Sequence, residues 1–462
     1  MVGHLLTTAQ YKSTNGIYRV RCHNIEITVL PHKYVDEIRS LPEDKALSDK
    51  TLGTYSGVDI ILESRLHVHA LQQHLTPTLA AVVGVVREEL DFAASVDLPA
   101  CQDQWVSVDM HATLARLVSR LSSRIFGGTE LSRNEEWLTT SIQYPQVAFV
   151  TAFGLRIVPA ILRPVFALLL PHYWRTQYHI ASAKRIVGDI VRRRRAAEAE
   201  QREAYDKPND LIQWMMDAAD EKDATPHKLG HLLLFVSNAS VFTTSMLISH
   251  CIYDLCANPQ YIEPLREEII AVLSEGGNFH KTMLHKMRKL DSCLKESQRL
   301  SPPFLMTLDR VLREQLTLSD GTTLPAGSYI AMATDAIMHD PEFLPPGGAD
   351  PDSFDPFRYS RVREDPTKPE NALRYQLATT EATSMPFGHG KFACPGRFFA
   401  SSEAKLILCH LLLRYDFRLP EGKTRPQNVL IAENVAPDPN ARVLMRKRKT
   451  ADRDLATLEV AL

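Results

Sequence analysis

The chain has 462 residues, of which 44% are hydrophobic and 23% charged, and its formal net charge is −2. This composition is typical of a soluble globular protein, and the near-neutral charge argues against a nucleic-acid-binding protein. The seven cysteines are scattered without C-x-x-C spacing, which argues against a disulfide framework or a zinc knuckle.

The first half of the chain is predicted to be mainly helical after a short β region. Residues 18–31 alternate in polarity and favour strands, whereas residues 58–260 carry mostly helical spacing. Residues 1–17 contain no long apolar run. We expect them to form an N-terminal extension that is neither a signal peptide nor a membrane anchor.

One internal segment, Val147–Pro171, is strongly apolar. Two arginines and two prolines interrupt it: Arg156, Pro159, Arg163 and Pro164. A membrane-spanning helix needs about 20 uninterrupted apolar residues. The segment therefore predicts a buried or interface-dipping helix pair that touches a membrane surface, and we expect no transmembrane helix in the chain.

A long helix over His227–Asn258 is predicted to run through the centre of the protein, because its flanks are apolar on nearly every face. The Asn258-Pro259 pair should end it. Short polar residues crowd its middle, between Ser237 and Ser245. Their hydroxyls either bond back to the carbonyl four residues earlier or form a notch where a ligand or water meets the helix.

The C-terminal part combines helices with small β elements. The predicted elements are a helix, two strands, a loop rich in Pro and Gly, and a final helix: Met283–Leu300, Gln315–Leu318, Tyr329–Met332, Pro341–Pro369 and Arg397–Arg414. The whole layout is helix-rich with small sheets.

The segment SMPFGHGKFACPGRFFA (residues 384–400) places Cys394 directly before the final predicted helix. Free N–H groups and the dipole at a helix start stabilise an anion, so we expect the pKa of the Cys394 thiol to be lowered. Gly396 should let the backbone approach the sulfur, and Gly388 and Gly390 should permit a tight turn.

A thiolate in this position could be a nucleophile, a redox thiol or a metal ligand. A nucleophile would need a nearby base, and His389 is the only local one. A phosphate-binding loop is excluded because Phe392 follows Lys391 where Ser or Thr is required. One axial thiolate on haem iron fits better, since it needs a single cysteine and no second ligand from the chain.

Three motifs together resemble the cytochrome P-450 family. Phe387–Gly396 resembles the haem-binding signature Phe-x-x-Gly-x-(Arg or His)-x-Cys-x-Gly, Glu296–Arg299 resembles Glu-x-x-Arg, and Phe354–Tyr359 resembles Phe-x-Pro-x-Arg. Glu-x-x-Arg alone is a common surface ion pair, but the three motifs in this order are specific. Tyr261–Ile269 and Gly396–Phe399 resemble fungal secondary-metabolism members of the ent-kaurene oxidase type.

The resemblance implies a mainly α fold with small β-sheets, in which haem b lies between the long central helix and the cysteine loop. One catalytic domain over residues 18–448 would be followed by a tail over residues 449–462. Cys394 would be the axial iron ligand, and the implied cofactor-binding residues are Phe387, Gly388, Gly390, Cys394, Gly396, Arg310 and His67. His74 is the alternative to His67, and a surface position for either histidine is the competing interpretation.

The resemblance also implies roles for residues around the cofactor. Glu296, Arg299 and Arg358 would form a buried ion network that fixes the cysteine loop. Thr243 would steady bound dioxygen, with Thr244 beside it. The implied substrate pocket contains Ala239, Phe242, Phe304, Leu305 and Met306.

The chain departs from the family pattern at three positions. Phe392 stands where an Arg or His normally bonds a haem propionate, and Lys391 could reach round instead. Phe242 replaces the acid or His that precedes the threonine of the central helix, so proton delivery would need water, Thr244 or substrate hydroxyls. Ser240 replaces a glycine.

We therefore expect a haem-thiolate monooxygenase that inserts one atom of dioxygen into an apolar terpenoid-like natural product. Electrons would come from NADPH through a reductase that docks near Lys391, Arg397 and Lys405. The alternatives are a peroxide-using or rearranging enzyme and a degenerate, weakly active haem-binding homologue. We expect a monomer, either cytoplasmic or held peripherally on the cytoplasmic side of the endoplasmic reticulum.

Overall fold

The computed structural model describes residues 16–22, 25–42, 46–47, 53–276, 281–431 and 433–449. Nearly all of the expected N-terminal extension and C-terminal tail lie outside these residues. Within them the protein is mainly helical with small sheets, which confirms the fold class predicted from the sequence.

The α-helices follow one another along the described chain, and several are longer than eighteen residues. They are α1 (Val35–Ile38), α2 (Gly53–Ser56), α3 (Ile60–Glu63), α4 (Leu66–Ala70), α5 (Leu79–Asp97), α6 (Met110–Ser132), α7 (Glu135–Arg156), α8 (Arg163–Leu169), α9 (Pro171–Gln201), α10 (Leu211–Ala218), α11 (Pro226–Ala257), α12 (Ile262–Gly276), α13 (Lys281–Lys286), α14 (Arg288–Leu300), α15 (Thr334–Met338), α16 (Arg358–Arg363) and α17 (Arg397–Arg414).

Short strands build the small sheets. They are β1 (Tyr18–Cys22), β2 (Ile25–Leu30), β3 (Ala46–Leu47), β4 (Val106–Val108), β5 (Thr307–Leu312), β6 (Leu316–Thr317), β7 (Thr323–Leu324), β8 (Tyr329–Met332), β9 (Tyr415–Arg418), β10 (Val429–Ile431), β11 (Asn434–Ala436) and β12 (Val443–Lys447). One sheet has the order β1-β2-β8-β5-β3, a second has the order β4-β12-β9, and β6-β7 and β10-β11 are hairpins. Only the β2–β8 pair among them is parallel.

Helix α11 is the central element, as its apolar flanks predict. The Thr225 hydroxyl accepts a hydrogen bond from the N–H of Lys228, and Pro226 occupies the first turn, where its missing N–H removes nothing. The helix packs against α6, α7, α9, α14 and α17. It is long and apolar enough to cross a membrane, but 67% of its most apolar window is buried inside the protein.

The apolar 147–171 segment breaks where its prolines and arginines predict. Helix α7 ends at Arg156, and α8 and α9 follow a short turn. Instead of burying their apolar side chains, these elements expose many of them. We call the following residues the apolar patch: Ile157, Ile161, Leu162, Val165, Phe166, Leu168, Leu169 and Trp174.

The helix predicted over residues 283–300 is two helices in the structure. Met287 leaves helical geometry with a ψ of 71° and separates α13 from α14. The Glu268 carboxylate accepts hydrogen bonds from the N–H groups of Lys289 and Leu290. A carboxylate that accepts from the first free N–H groups of a helix stabilises the start of that helix. Here the carboxylate belongs to α12, a long-range contact that sequence spacing does not reveal.

Candidate functional site

A cavity of about 770 Å³ lies between α11, the loop before α17 and the strands β5 and β8. Ala239 and Thr243 line it from α11, Cys394 from the loop, and Arg310 from β5. Most of its other lining side chains are apolar. The structure therefore brings the predicted cysteine loop and the notch of the central helix to one cavity.

The cysteine loop is closed by backbone and guanidinium hydrogen bonds. The N–H of Cys394 donates to the carbonyl of Phe387 at 2.8 Å, and Arg397 Nη1 donates to the carbonyl of Cys394 at 2.8 Å. Phe387 and Gly388 line the cavity as well. Because α17 starts at Arg397, the thiol is held between a closed turn and a helix start.

The glycines of this loop have different functions. Gly388 and Gly390 have φ values of +68° and +70°, which a residue with a side chain adopts only with strain. Gly390 does not line the cavity, contrary to its predicted place in the cofactor site. It lies against Arg39, and a Cβ on Gly390 would come within 2.9 Å of the Arg39 Cβ. Gly396 does line the cavity, and a Cβ there would meet only the Cys394 sulfur, at 4.0 Å.

The expected lowering of the Cys394 pKa is wrong for the protein by itself. Burial raises the pKa of the Cys394 thiol, while the N–H groups of Gly396 and Arg397 and the Arg397 charge oppose that rise. Desolvation is the stronger influence because it penalises the charged form of a buried group. A thiolate here therefore needs a further positive charge nearby. A metal centre supplies that charge and thereby deprotonates the thiol that coordinates it.

Phe392 lines the cavity and lies under two guanidinium groups. The Arg310 Cζ atom is 4.2 Å from the centre of the Phe392 ring, and the Arg65 Cζ atom is 5.8 Å from it. The Lys391 amine is also 5.8 Å from that ring. An aromatic face attracts such cations, so Phe392 positions Arg310 at the cavity even though it cannot itself donate a hydrogen bond there.

His67 is buried at the cavity, so the surface interpretation does not apply to it. Its Nδ1 is buried and has no hydrogen-bond partner among the described residues. Burial, helped by the charges of Arg65 and His69, lowers the pKa of His67 to about 4, and the ring is therefore neutral at pH 7. His74 instead stacks on the Trp214 ring and does not line the cavity.

The hydroxyls of α11 divide between the two expected arrangements. Thr243 Oγ1 donates to the carbonyl of Ala239 at 2.8 Å, whereas Thr244 Oγ1 is buried at the cavity and has no partner among the described residues. Phe242, predicted to line the substrate pocket, does not. At 3.6 residues per turn, a helix that presents positions 239, 240, 243 and 244 turns position 242 away.

The segment before β5 lines the cavity with only some of its residues. Phe304 and Met306 line the cavity. Leu305, predicted to join them, is buried elsewhere: its N–H donates to the carbonyl of Glu433, and its carbonyl accepts from Asp335. In extended chain successive side chains point to opposite sides, which accounts for the difference.

Glu296 is the centre of a buried ion network. Its side chain has no exposed surface, and its carboxylate accepts two hydrogen bonds from Arg299, each of 2.8 Å. Arg358 Nε donates to it at 3.1 Å, and the N–H of Asp355 at 3.2 Å. The structure thus brings together the three residues predicted for this network and ties α14 to the start of α16.

A second buried network holds the cysteine loop and was missed by sequence reasoning. Asp291 on α14 accepts from Arg363 at 2.7 Å, from Lys405 on α17 at 2.5 Å, and from the N–H of Leu377. Lys295 donates to the Ser384 hydroxyl at 3.2 Å. Dense charge on a short helix usually indicates a solvated face, so the sequence carries no signal for this burial.

Lys405 is therefore wrongly placed in the expected reductase-docking surface. It is only 4% exposed, and its amine is engaged by Asp291 and by the carbonyl of Leu284. Lys391 is exposed and Arg397 is half-buried. These two remain available for a docking role.

The cavity fits a haem better than a bare metal ion. Among the described residues no group of three or more His, Cys, Asp and Glu could hold a metal ion. A metal at Cys394 would therefore need most of its ligands from its own macrocycle. The cavity also presents Arg310, a cation suited to a carboxylate substituent.

Comparison with known proteins supports the same conclusion. A family model described as Cytochrome P450 matches residues 45–445. The chain is 48% identical over 448 residues to cytochrome P450 monooxygenase AN1598 of Emericella nidulans, covering 96% of this chain and 82% of the relative. It is 45% identical to cytochrome P450 monooxygenase olcJ of Penicillium canescens, covering 94% and 81%. It is 41% identical to ent-kaurene oxidase P450-4 of Gibberella fujikuroi, covering 97% and 88%.

Fold, site and relatives define a haem-thiolate class of enzyme. The chain belongs to the cytochrome P-450 family, and it is a monooxygenase of the fungal secondary-metabolism type.

Glu296→Gln should destabilise the protein strongly. The substitution keeps the shape but leaves two buried guanidinium groups uncompensated, so we expect a loss of about 3–5 kcal/mol of unfolding free energy. Urea unfolding followed by tryptophan fluorescence measures it. Glu26→Gln is the matched control, because Glu26 pairs with Arg19 at an exposed site where such pairs contribute less than about 1 kcal/mol. Equal losses in both variants would contradict the structural role of Glu296.

Phe392→His should slow the loss of haem. A histidine adds a hydrogen-bond donor at the cavity, and a hydrogen bond to a charged group contributes about 1.5–3 kcal/mol, or at least about tenfold in rate. Haem transfer to excess apomyoglobin gives the rate. Phe398→His is the control, since Phe398 also lies near an arginine but does not line the cavity. An unchanged rate in Phe392→His would show that no acidic haem substituent lies at this position.

Proposed function

We propose that the protein binds haem b and inserts one atom of dioxygen into an apolar terpenoid, with electrons from NADPH through a cytochrome P-450 reductase. One observation carries the proposal: the Cys394 thiol lines the same apolar cavity as Thr243 and Thr244 of the central helix. The catalytic domain would comprise residues 18–448 and act as a monomer.

Several residues that line the cavity would bind the haem. Cys394 would hold the haem iron through its sulfur, with Phe387, Gly388 and Gly396 as the wall around it. Arg310 would pair with an acidic substituent, and neutral His67 would offer a donor or acceptor beside it. When bound, haem supplies the activation of dioxygen.

Other residues that line the cavity would bind the substrate and place hydroxyl groups for proton delivery. Phe304, Met306 and Ala239 would exclude water and bind an apolar molecule. Thr243 and Thr244 would place hydroxyls at the oxygen-binding side of the cavity. Glu296, Arg299 and Arg358 would keep the fold around the cysteine loop rigid without touching the reacting atoms.

A terpenoid substrate is supported by the lining and by the relatives. The cavity offers much more apolar than polar surface, as a hydrocarbon skeleton requires. Three of the relatives are named ent-kaurene oxidases, each 41% identical to this chain. We therefore take ent-kaurene as the first probe.

The purified, haem-loaded protein should show the red-shifted Soret band of thiolate ligation when it is reduced under carbon monoxide. Cys394→Ser should abolish that band, because a hydroxyl is a poor substitute for the thiolate. With reductase, NADPH and ent-kaurene, mass spectrometry should detect a product one oxygen atom heavier. A spectrum without the red shift would refute the proposal, and product formed with peroxide alone would favour the peroxide-using alternative. A red-shifted band with no turnover on any terpene would favour the degenerate homologue.

The apolar patch supports a peripheral position on the endoplasmic reticulum membrane. Ile161 is 87% exposed and Leu169 is 72% exposed, and both belong to one continuous segment of turns and short helices. Exposed apolar clusters of this kind mark interaction surfaces. Insertion of the patch into the headgroup region would bury these side chains without a spanning helix.

The double variant Ile161→Ser/Phe166→Ser should bind phosphatidylcholine vesicles at least about tenfold more weakly, because each apolar side chain contributes about 1.5–3 kcal/mol on burial. Vesicle flotation measures the bound fraction. Leu373→Ser is the matched control, since Leu373 is 79% exposed outside the patch. Equal vesicle binding by the parent and both variants would show that the apolar patch does not contact the membrane.

A further inference from the structure

A buried carboxyl group is connected to the cavity through two serine hydroxyls. Glu403 lies on α17, nine residues after Cys394, and is 1% exposed. Its Oε1 is 3.0 Å from the Ser122 hydroxyl of α6. That hydroxyl is 2.8 Å from the Ser240 hydroxyl of α11, and Ser240 lines the cavity. The three side chains form a continuous hydrogen-bonded path between α17 and the cavity.

The surroundings of Glu403 favour its neutral form. Its Oε2 has no hydrogen-bond partner among the described residues. Burial raises the pKa of Glu403 to about 8, and only the hydrogen bond from Ser122 opposes the rise. Glu296 is equally buried, but two guanidinium groups neutralise it. An ionised carboxylate without such a cation would be expensive to bury, so Glu403 carries a proton at pH 7.

A neutral Glu403 sets the direction of the path. When its carboxyl O–H donates to Ser122, the Ser122 hydroxyl donates to Ser240. The Ser240 hydrogen is then free to point into the cavity. Ser240 stands one turn before Thr243 and Thr244 on the same helix, which is the oxygen-binding side of the proposed site.

We propose that Glu403, Ser122 and Ser240 form a proton relay, in which Glu403 stores a proton for delivery into the substrate-filled cavity. The proposal rests on the proposed monooxygenase function. That reaction consumes two electrons and two protons for each dioxygen, with one oxygen atom going to the substrate and the other to water.

The relay supplies one of the two protons. The Glu403 O–H bond breaks as Ser122 accepts its proton, Ser122 passes its own proton to Ser240, and Ser240 passes its proton to oxygen in the cavity. Glu403 is left as a carboxylate. It regains a proton from solvent water along the same path once product leaves and the cavity opens.

The relay would replace the proton donor that the family pattern has at position 242 and this chain lacks. An apolar substrate expels water from the cavity. Helix α11 cannot supply the proton from position 242, because Phe242 replaces the acid there and its side chain is turned away from the cavity. Among the described residues, three carboxyl groups line the cavity directly: Asp59, Asp309 and Glu433. They belong to the turn before α3, to β5 and to the β10–β11 hairpin, whereas Ser240 belongs to the helix that carries both threonines.

Infrared spectroscopy tests the stored proton without any turnover. The haem-loaded protein at pH 7 should show the carbonyl stretch of a protonated carboxyl group. Glu403→Gln should remove this band, and Ser122→Ala should shift it to higher frequency by removing the hydrogen bond. Glu89→Gln is the control, since Glu89 is a buried carboxylate that also accepts from a serine hydroxyl but lies away from the cavity lining. Retention of every carboxyl band in Glu403→Gln would overturn the proposal.

A second measurement separates the relay from a structural role and uses ent-kaurene as the apolar molecule that fills the cavity. NADPH consumption with reductase should fall about tenfold or more in Glu403→Gln and in Ser240→Gly, while Glu89→Gln should stay within about twofold of the parent. Ser240→Gly should keep the carboxyl band and lose the rate, because it breaks the path only at the cavity.

Unchanged NADPH consumption in Ser240→Gly, with the haem content intact, would overturn the relay. If the parent protein lacks the red-shifted carbon monoxide band, the monooxygenase proposal fails by that result. The infrared measurement would still decide independently whether Glu403 carries a proton.

Discussion

The buried charge of Glu296 is the constraint on which the rest of the structure depends. A carboxylate without exposed surface is tolerable only because Arg299, Arg358 and a backbone N–H satisfy it. The same helix buries Asp291, which binds α16, α17 and the segment before the cysteine loop. Since charges in low dielectric interact strongly and tolerate little displacement, α14 fixes the elements that position Cys394.

This rigidity matters because the thiol cannot hold its reactive form alone. Burial raises the pKa of Cys394 despite the N–H groups at the start of α17. The protein therefore provides a preformed turn and a cavity, and in the proposed site the metal centre would provide the charge that stabilises the thiolate.

Much of the fold and part of the site could be predicted from the sequence, because periodicity and motif spacing are local signals. The central helix and the helix after Cys394 follow from these signals, and the resemblance to the family implied the Glu296 network. The places of Phe242, Leu305 and Gly390 did not, since each depends on which side of an element faces the cavity. Lys405 looked like a surface cation, and only the tertiary packing of α17 on α14 shows its pairing with Asp291. Ser122 and Glu403 are 281 residues apart in the chain, a separation for which a single sequence gives no signal.

Glu296 and Glu403 are both buried, and they show how the surroundings decide what a carboxyl group can do. Glu296 meets two guanidinium groups, and these ion pairs hold the structure around it. Glu403 meets one neutral hydroxyl, and burial raises its pKa to about 8. A group with a pKa near the working pH can both give up and regain a proton. The serine at position 240, in place of the glycine of the family pattern, gives that mobile proton a path into the cavity.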